Sequence, residues 1–361
     1  MMRKFLSTCL FVALCNIAFS QTVSLTADEI KALKSEITVK DDAKKIYHQF
    51  EKATAVYLGD VPNAIDTIRT EGLLRGNPIK VKTQQSLGDM YKMFSLALQY
   101  RLTNEKKYLD KTVEFLLAWA AKNKPNGNPI DDTNLDKAVE AYDLVKDEVP
   151  NESKKQIQKW LNETALAEIN SKRMRNGRAT AVNNWNAHRI KVVAEIGYAL
   201  GNKELINCTI ENLKSHISIN LNADGTSLDF KERDAMHYHI YDLDPMLKAA
   251  IMIERAGGPN FYTYESPKGS SIKKSVDWLV PYVNGKKQHE EYVNTTVKFD
   301  RDRAKNNEPG FAPGTMFEPK LALPVFELSV YFDESQKTIL QNLRKAENMQ
   351  TLIHSIKRLK K

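Results

Sequence analysis

Two short stretches concentrate side chains that could do chemistry. The first is Asn183-Asn184-Trp185-Asn186-Ala187-His188, and the second is Arg233-Asp234-Ala235-Met236-His237-Tyr238-His239, with Tyr241 close behind. If the first stretch opens a helix, Asn184 and His188 lie one turn apart on the same face. Asparagine competes for backbone hydrogen bonds, so asparagines at a helix start are ordinary capping residues. Capping covers Asn183 or Asn184, but not Asn186 or a histidine projecting from the face of Asn184. The second stretch crowds an arginine, two histidines and two tyrosines before Asp244-Pro245, which reads as the N-cap and first residue of another helix. His237 and His239 lack a third ligand at metal-like spacing, so neither a metal nor another cofactor is expected.

Amide, imidazole, guanidinium and phenol groups without a serine or cysteine nucleophile suit beta-elimination from a uronic acid. The proton beside a uronate carboxylate is barely acidic while that carboxylate stays charged. Asparagine, arginine and an N–H-bearing histidine stabilise the enolate-like intermediate as charge builds on the carboxyl oxygens. A tyrosine then takes the proton and returns one to the departing glycosidic oxygen, provided nearby cations lower its pKa from about 10. Arg233, His188 and His239 are the candidates for that tuning. The expected catalytic set is Tyr238, His188, Asn184 and Arg233, with Asn183, Trp185, His239 and Tyr241 as substrate contacts.

Two other readings compete. A glycoside hydrolase needs two carboxylates flanking the bond, and Asp229, Glu232 and Asp234 are close enough in sequence to supply them. A glycan-binding protein that has lost catalysis would keep the scaffold alone. Asp234, beside Arg233, reads more naturally as an ion-paired orienter on a helix.

These residues must be positioned by helices, because helical periodicity dominates the chain. Thr26 and Glu29 form a capping box ahead of Ile30, Leu33 and Ile37. Tyr91, Phe94, Leu98 and Leu102 recur at helical spacing, as do Tyr108, Phe115, Leu116 and Trp119. Only Thr103-Asn104-Glu105 separates these two helices, which makes them antiparallel neighbours. Further helices are expected after a Ser153 cap, from about Asn184 to Leu200, over Glu204 to Ile219, and from Pro245 to the Gly257-Gly258 stop. Longer loops are expected after Ala256 and between Pro309 and Pro319. Many varied hairpins with few strand signals favour an all-α (α/α) toroid, inner helices ringed by outer ones, over an open solenoid.

Residues 1–20 read as a signal peptide, with Arg3 and Lys4 before an apolar run and Ala18-Phe19-Ser20 before the cut. Residues 21–361 would then form one exported domain, periplasmic or secreted. Leu14 before Cys15 disfavours a lipoprotein site. The mature chain would keep Cys208 alone, so no internal disulfide is available. With 53 basic and 45 acidic residues the formal charge is +8, a balance that suits a polyanionic partner. Export and the lack of a nucleic-acid motif leave an acidic polysaccharide rather than nucleic acid. No later segment is apolar enough for a membrane span. The basic run Ile356 to Lys361 reads as a solvated helix end, and Lys172, Arg173, Arg175 and Arg178 as a candidate rim for a polyanion.

The paired motifs resemble the alginate-lyase superfamily. Its members combine an Asn-Asn helix start with a later Arg…Tyr-His segment on an α/α toroid. Asp224-Gly225, Trp278-Leu279-Val280-Pro281-Tyr282 and Phe299-Asp300-Arg301-Asp302-Arg303-Ala304 add to the likeness, which runs from about Tyr91 to Phe332. The resemblance implies that Tyr238 is the acid/base tyrosine and Asn184 the carboxylate-binding asparagine. Where family members place a histidine directly after the second asparagine, this chain has Trp185, and His188 is the substitute one turn on. That departure implies a uronate polymer such as alginate or glucuronan rather than alginate alone.

Overall fold

The computed structural model describes residues 21–358. The signal peptide read from the sequence therefore lies outside the described residues, as do residues 359–361. The helices are α1 (Ala27–Val39), α2 (Asp41–Val56), α3 (Pro78–Thr103), α4 (Lys106–Lys122), the short α5 (Pro129–Asp132), α6 (Asp136–Val145), α7 (Asn151–Ile169) and α8 (Asn184–Leu200). They continue as α9 (Lys203–Asn220), α10 (Leu228–Arg233), α11 (Met236–Arg255), α12 (Ile272–Val283), α13 (Lys298–Lys305), α14 (Leu323–Ser329), α15 (Lys337–Leu343) and α16 (Met349–Arg358). Among the described residues one small two-stranded sheet interrupts them: β1 (Glu290–Glu291) pairs antiparallel with β2 (Thr315–Met316) across α13 in sequence, Glu290 opposite Met316.

The chain closes into an α/α toroid. Helices α3, α6, α8, α11 and α14 pack in succession as an inner ring, with α4, α7, α9 and α12 against their outer faces. Helix α8 has neighbours on every side, so its middle (Ile190, Val192, Val193, Ala194, Ile196) is buried throughout. Each of these isoleucines and valines contributes roughly 1.5–3 kcal/mol of transfer free energy. Gly201 ends the helix in the left-handed region at φ 65. Gly197 lets α9 approach so closely that a Cβ there would meet the Leu205 Cβ at 3.0 Å.

The ring is shut by the two ends of the described chain. Helix α1 packs on α16 and α3, and α16 on α14. Residues 21–25 lie buried ahead of α1, strapped down by hydrogen bonds. Arg255, at the end of α11, donates to the Thr22 and Ser24 carbonyls at 3.0 and 2.9 Å. It also grips the buried Glu29 carboxylate at 2.6 and 2.9 Å. The capping box read from Thr26 and Glu29 is present, so Glu29 serves both the cap and the ring closure. Lys357 donates to the Val23 carbonyl at 3.0 Å. Ile356 and Lys357, at the start of the basic C-terminal run, are therefore docked into the ring rather than solvated.

Two expected helix starts are wrong. Helix α7 begins at Asn151, after Pro150, instead of at a Ser153 cap. Pro245 opens no helix: α11 runs unbroken from Met236 to Arg255 with Pro245 in its interior. An interior proline costs about 3 kcal/mol, because it lacks the N–H that would reach residue i−4, here Tyr241. Burial of both flanks of α11 between α8 and α14 outweighs that local preference.

The Arg255 clasp gives a stability prediction. Arg255→Ala should lower the unfolding free energy by about 3–5 kcal/mol, because it strands a buried carboxylate. Urea denaturation of the variant against the wild type measures it, and a loss under about 1 kcal/mol would mean that the clasp does not close the ring.

Candidate active site

The tyrosine is placed by a cap borrowed from strand β1. Asp234 ends α10 in the left-handed region at φ 48, and Ala235, the N-cap of α11, has no capping side chain. The Glu291 carboxylate of β1 accepts instead from the backbone N–H groups of Met236 and His237 at 2.9 and 3.2 Å. A carboxylate on those free N–H groups is the stabilising choice at a helix start. Tyr292 N–H donates to the Asp234 carbonyl at 2.7 Å, tying the end of β1 to the same turn. Tyr238 then projects from the first turn of α11 into a cavity of about 560 Å³.

Two arginines hold the Tyr238 ring. The Arg303 Nη1 of α13 donates to the phenolic oxygen at 2.6 Å. The Arg233 guanidinium stands 3.7 Å from the ring centroid while its Nη1 pairs with buried Asp300 at 2.5 Å. Phe299 and Phe311 flank Arg303, each ring centroid 4.5 Å away. Burial pushes the phenol pKa up; Arg233 and Arg303 oppose this, and the net direction is upward.

Helix α8 supplies the opposite wall through Asn184, Trp185, His188 and Lys191. The backbone N–H of Asn184 donates to Asp229 at 2.8 Å, and its side-chain amide donates to the same carboxylate. Asn220 adds a third donor at 3.0 Å. Burial and the neighbouring Asp242 nevertheless raise the Asp229 carboxyl to about 7. His188 bonds Thr133 Oγ1 through Nδ1 at 2.9 Å, and its Nε2 is buried without a partner. Burial, then Lys191 and Lys248, hold His188 well below its usual pKa, so the ring is neutral.

Of the eight sequence-derived site residues, Tyr238, His188, Asn184, Arg233, Trp185 and Tyr241 line the cavity. Asn183 caps α8, accepting from Trp185 N–H at 3.1 Å, and is not part of the lining. His239 faces away from the cavity. Its ring nitrogens engage Ser227 Oγ and the Ser275 carbonyl at 2.9 and 3.1 Å, and burial lowers it to about 4. Neither His188 nor His239 is therefore a cation that tunes the tyrosine; Arg303 and Arg233 fill that role. Asn186 bonds His216 at 3.1 Å and accepts from Arg189 at 2.7 Å, in a polar network behind α8.

Several cavity residues escaped sequence reasoning. His237, considered only as a metal ligand, lies between Tyr238 and Tyr241 with ring centroids 5.1 and 6.3 Å away. Burial, Arg303 and Arg233 lower it to about 4. Arg303 lies in the Phe299–Ala304 stretch noted for its family likeness but was given no role there, although Phe299 one turn earlier marks a half-buried side. Lys191 and Glu195, one turn apart in an otherwise apolar helix, were the overlooked sign of a polar lumen. Lys191 lies 3.4 Å from Asp136 and Lys248 lies 3.1 Å from Asp244, so the cavity floor is a half-buried ion-pair cluster. Burial alone would raise Asp136, but Lys191, Lys248 and Lys137 hold it well below the usual carboxylate range.

The carboxylates weighed for hydrolysis are elsewhere. Asp229 is buried under Asn184, Glu232 is exposed, and Asp234 accepts from Asn294 at 2.8 and 3.0 Å. Asp234 is thus neither helical nor paired with Arg233. Of the four basic residues considered as a rim, Lys172, Arg173, Arg175 and Arg178, all are exposed and none lines the cavity.

The helical toroid, together with the family match over residues 28–289, places the chain among the polysaccharide lyases. The sequence profile described as Alginate lyase matches residues 28–289, and the chain belongs to the alginate lyase family. No curated protein matches the chain. Among solved structures, an alginate lyase from Bacteroides ovatus aligns with a TM-score of 0.68 at 15% identity, covering 92% of this chain and 98% of that one. Alginate lyase A1-III from Sphingomonas species A1 aligns at 0.58 and 18% identity, covering 84% and 94%. A tyrosine-to-phenylalanine variant of A1-III, complexed with tetrasaccharide, aligns at 0.58 and 19%, covering 74% and 79%.

The state of Asp229 yields a pH prediction. Its folded pKa is raised to about 7, above an unfolded value of about 4. The stability it contributes is therefore complete below pH about 4 and is lost as pH rises through 7. Asp229→Asn should remove that fall, so the stability difference between wild type and variant changes between those limits and is level above them. Chemical denaturation across the range tests it; a difference independent of pH would show that Asp229 ionises normally.

Proposed function

We propose that this is an exported enzyme, periplasmic or secreted, that cleaves alginate or a related polyuronate such as glucuronan by beta-elimination. The observation that carries the reading is Tyr238, its oxygen 2.6 Å from Arg303 Nη1 and its ring under Arg233, in a cavity also lined by Lys80, Lys191 and Lys248. Those cations suit a chain of carboxylates. The neighbour complexed with tetrasaccharide supports an oligosaccharide in the corresponding lumen.

In this mechanism the Tyr238 phenolate, stabilised by Arg303, removes the proton from the carbon beside the uronate carboxylate. The electron pair forms a carbon–carbon double bond as the neighbouring carbon–oxygen bond breaks, and Tyr238 gives its proton to the leaving glycosidic oxygen. Asn184 and Arg233 receive the carboxylate as its charge grows. Asp229 holds the Asn184 amide in one orientation for that task. Trp185 and Tyr241 form the apolar faces against which sugar rings pack, and His237 presents a neutral imidazole beside them. His188, expected to touch the carboxylate, supports the wall from behind, because both its ring nitrogens are turned into the protein.

Incubation with polymannuronate, polyguluronate and glucuronan should give ultraviolet absorbance from the new double bond with at least one of them. New reducing ends without that absorbance would establish a hydrolase, and tight binding with neither would establish a binding protein. Tyr238→Phe should lower turnover by about 10²–10⁴-fold while polymer binding survives. Full activity in that variant would move the acid/base role to another residue.

A further inference from the structure

The loop between α7 and α8 carries a charge that nothing near it in sequence balances. No Asp or Glu occurs between Glu168 and Glu195, while Lys172, Arg173, Arg175 and Arg178 all stand exposed in that interval. Exposed lysines on the helices are commonly paired one turn away, as Lys106 is with Asp110 and Lys155 with Glu152. Among the described residues the ion-paired cations pass from Lys159 on α7 to Lys191 on α8, so the four loop cations have no carboxylate partner.

The backbone that presents them is nevertheless fixed. Met174 N–H donates to the Ser171 carbonyl at 3.1 Å, Arg178 N–H to Arg175 at 3.2 Å and Ala181 N–H to Arg178 at 3.0 Å. The Thr180 hydroxyl donates to the Arg173 carbonyl. Ser171 Oγ and Arg173 Nη1 donate to the carbonyls of Gly127 and Asn126 at 2.5 and 3.3 Å. Cations held on an ordered loop cost less entropy to engage than cations on a mobile one.

Both flanks of the loop lead to the cavity. The turn that receives Ser171 and Arg173 runs into Asn128, which caps α5 by accepting from Ile130 N–H at 3.2 Å, and Ile130 lines the cavity. The far end of the loop runs into Asn184 and Trp185, which line it too. A polymer longer than the cavity must leave it somewhere, and here the exit beside Trp185 meets unneutralised positive charge.

We propose that this loop is a docking strip outside the cavity, on which Lys172, Arg175 and Arg178 hold carboxylates of an acidic polysaccharide chain where it passes Trp185. The identity of that chain as substrate rests on the lyase reading. The strip itself is tested by binding alone.

The combined variant Lys172→Gln, Arg175→Gln, Arg178→Gln removes three charges and none of the loop's hydrogen bonds, which are made by backbone, Ser171, Arg173 and Thr180. In the full chain carrying Tyr238→Phe, so that polymer is not cut, its affinity for long polymannuronate, polyguluronate or glucuronan is measured by calorimetric titration. At about 0.1 M salt the affinity for at least one of them should fall about tenfold, the scale of three exposed charge contacts. The difference should vanish at about 1 M, where charges are screened beyond ~3 Å. The shortest oligosaccharides bound should keep their affinity, because they do not reach the strip. Lys172→Arg, Arg175→Lys, Arg178→Lys, which keeps the charge, should bind like its parent. Unchanged affinity for long polymers, an equal loss on short and long chains, or a loss that the charge-keeping variant shares would overturn the proposal. So would a parent that binds duplex DNA but no polyuronate. Charge-dependent polyuronate binding with no unsaturated product from the wild type would uphold the strip and count against the lyase reading instead.

Discussion

A phenol as deeply enclosed as Tyr238 keeps its proton unless a cation stands on its oxygen, and Arg303 Nη1 stands there at 2.6 Å. Everything else in the lumen depends on that contact. Arg303 is held between Phe299 and Phe311 and bridges toward Glu308, so its guanidinium stays directed at the oxygen. Arg233 covers the ring and is anchored in turn by Asp300. The resting phenol is still pushed upward, which makes the two arginines the means by which a phenolate can form at all.

The scaffold bears the strain of keeping these groups together. The short strand β1 lends Glu291 to cap α11, since Ala235 cannot. Asp229 is buried beneath Asn184 although burial drives its carboxyl toward neutrality. An interior proline and a floor of paired lysines and carboxylates are tolerated in the centre of the ring. These are local costs of the kind found where a cavity must be polar and fixed, and the surrounding helical layers offset them. The Arg255 clasp does the same for the ring itself by joining α11 to the chain ahead of α1.

Much of the architecture was legible in the sequence, because helix periodicity, the Thr26–Glu29 box and the Gly201 stop are local signals that tertiary packing reinforces. Pro245 misled because its local preference for a helix start is overridden by burial on both flanks. At the site, residue type located the correct two segments but could not tell which face each side chain takes. His239 and His237 are two residues apart on α11, yet one is locked to Ser227 in the interior while the other lines the cavity. Arg303 was out of reach of local reasoning, since its contact with Tyr238 spans 65 residues of sequence and depends on the ring having closed. The histidines expected to act as cations are held low for a reason invisible in a sequence: burial, joined at His188 by the charges of Lys191 and Lys248.

The central claim is that Tyr238 acts as the base and that Arg303 makes its phenolate accessible. The most direct measurement is the pH dependence of kcat/KM for Arg303→Gln beside the wild type on whichever polyuronate is cleaved. The account predicts that the rising limb of the profile moves to higher pH in the variant, with the two rates converging as the phenol ionises. A uniform drop at every pH, with the limb unmoved, would contradict it and leave Arg303 as a substrate contact only.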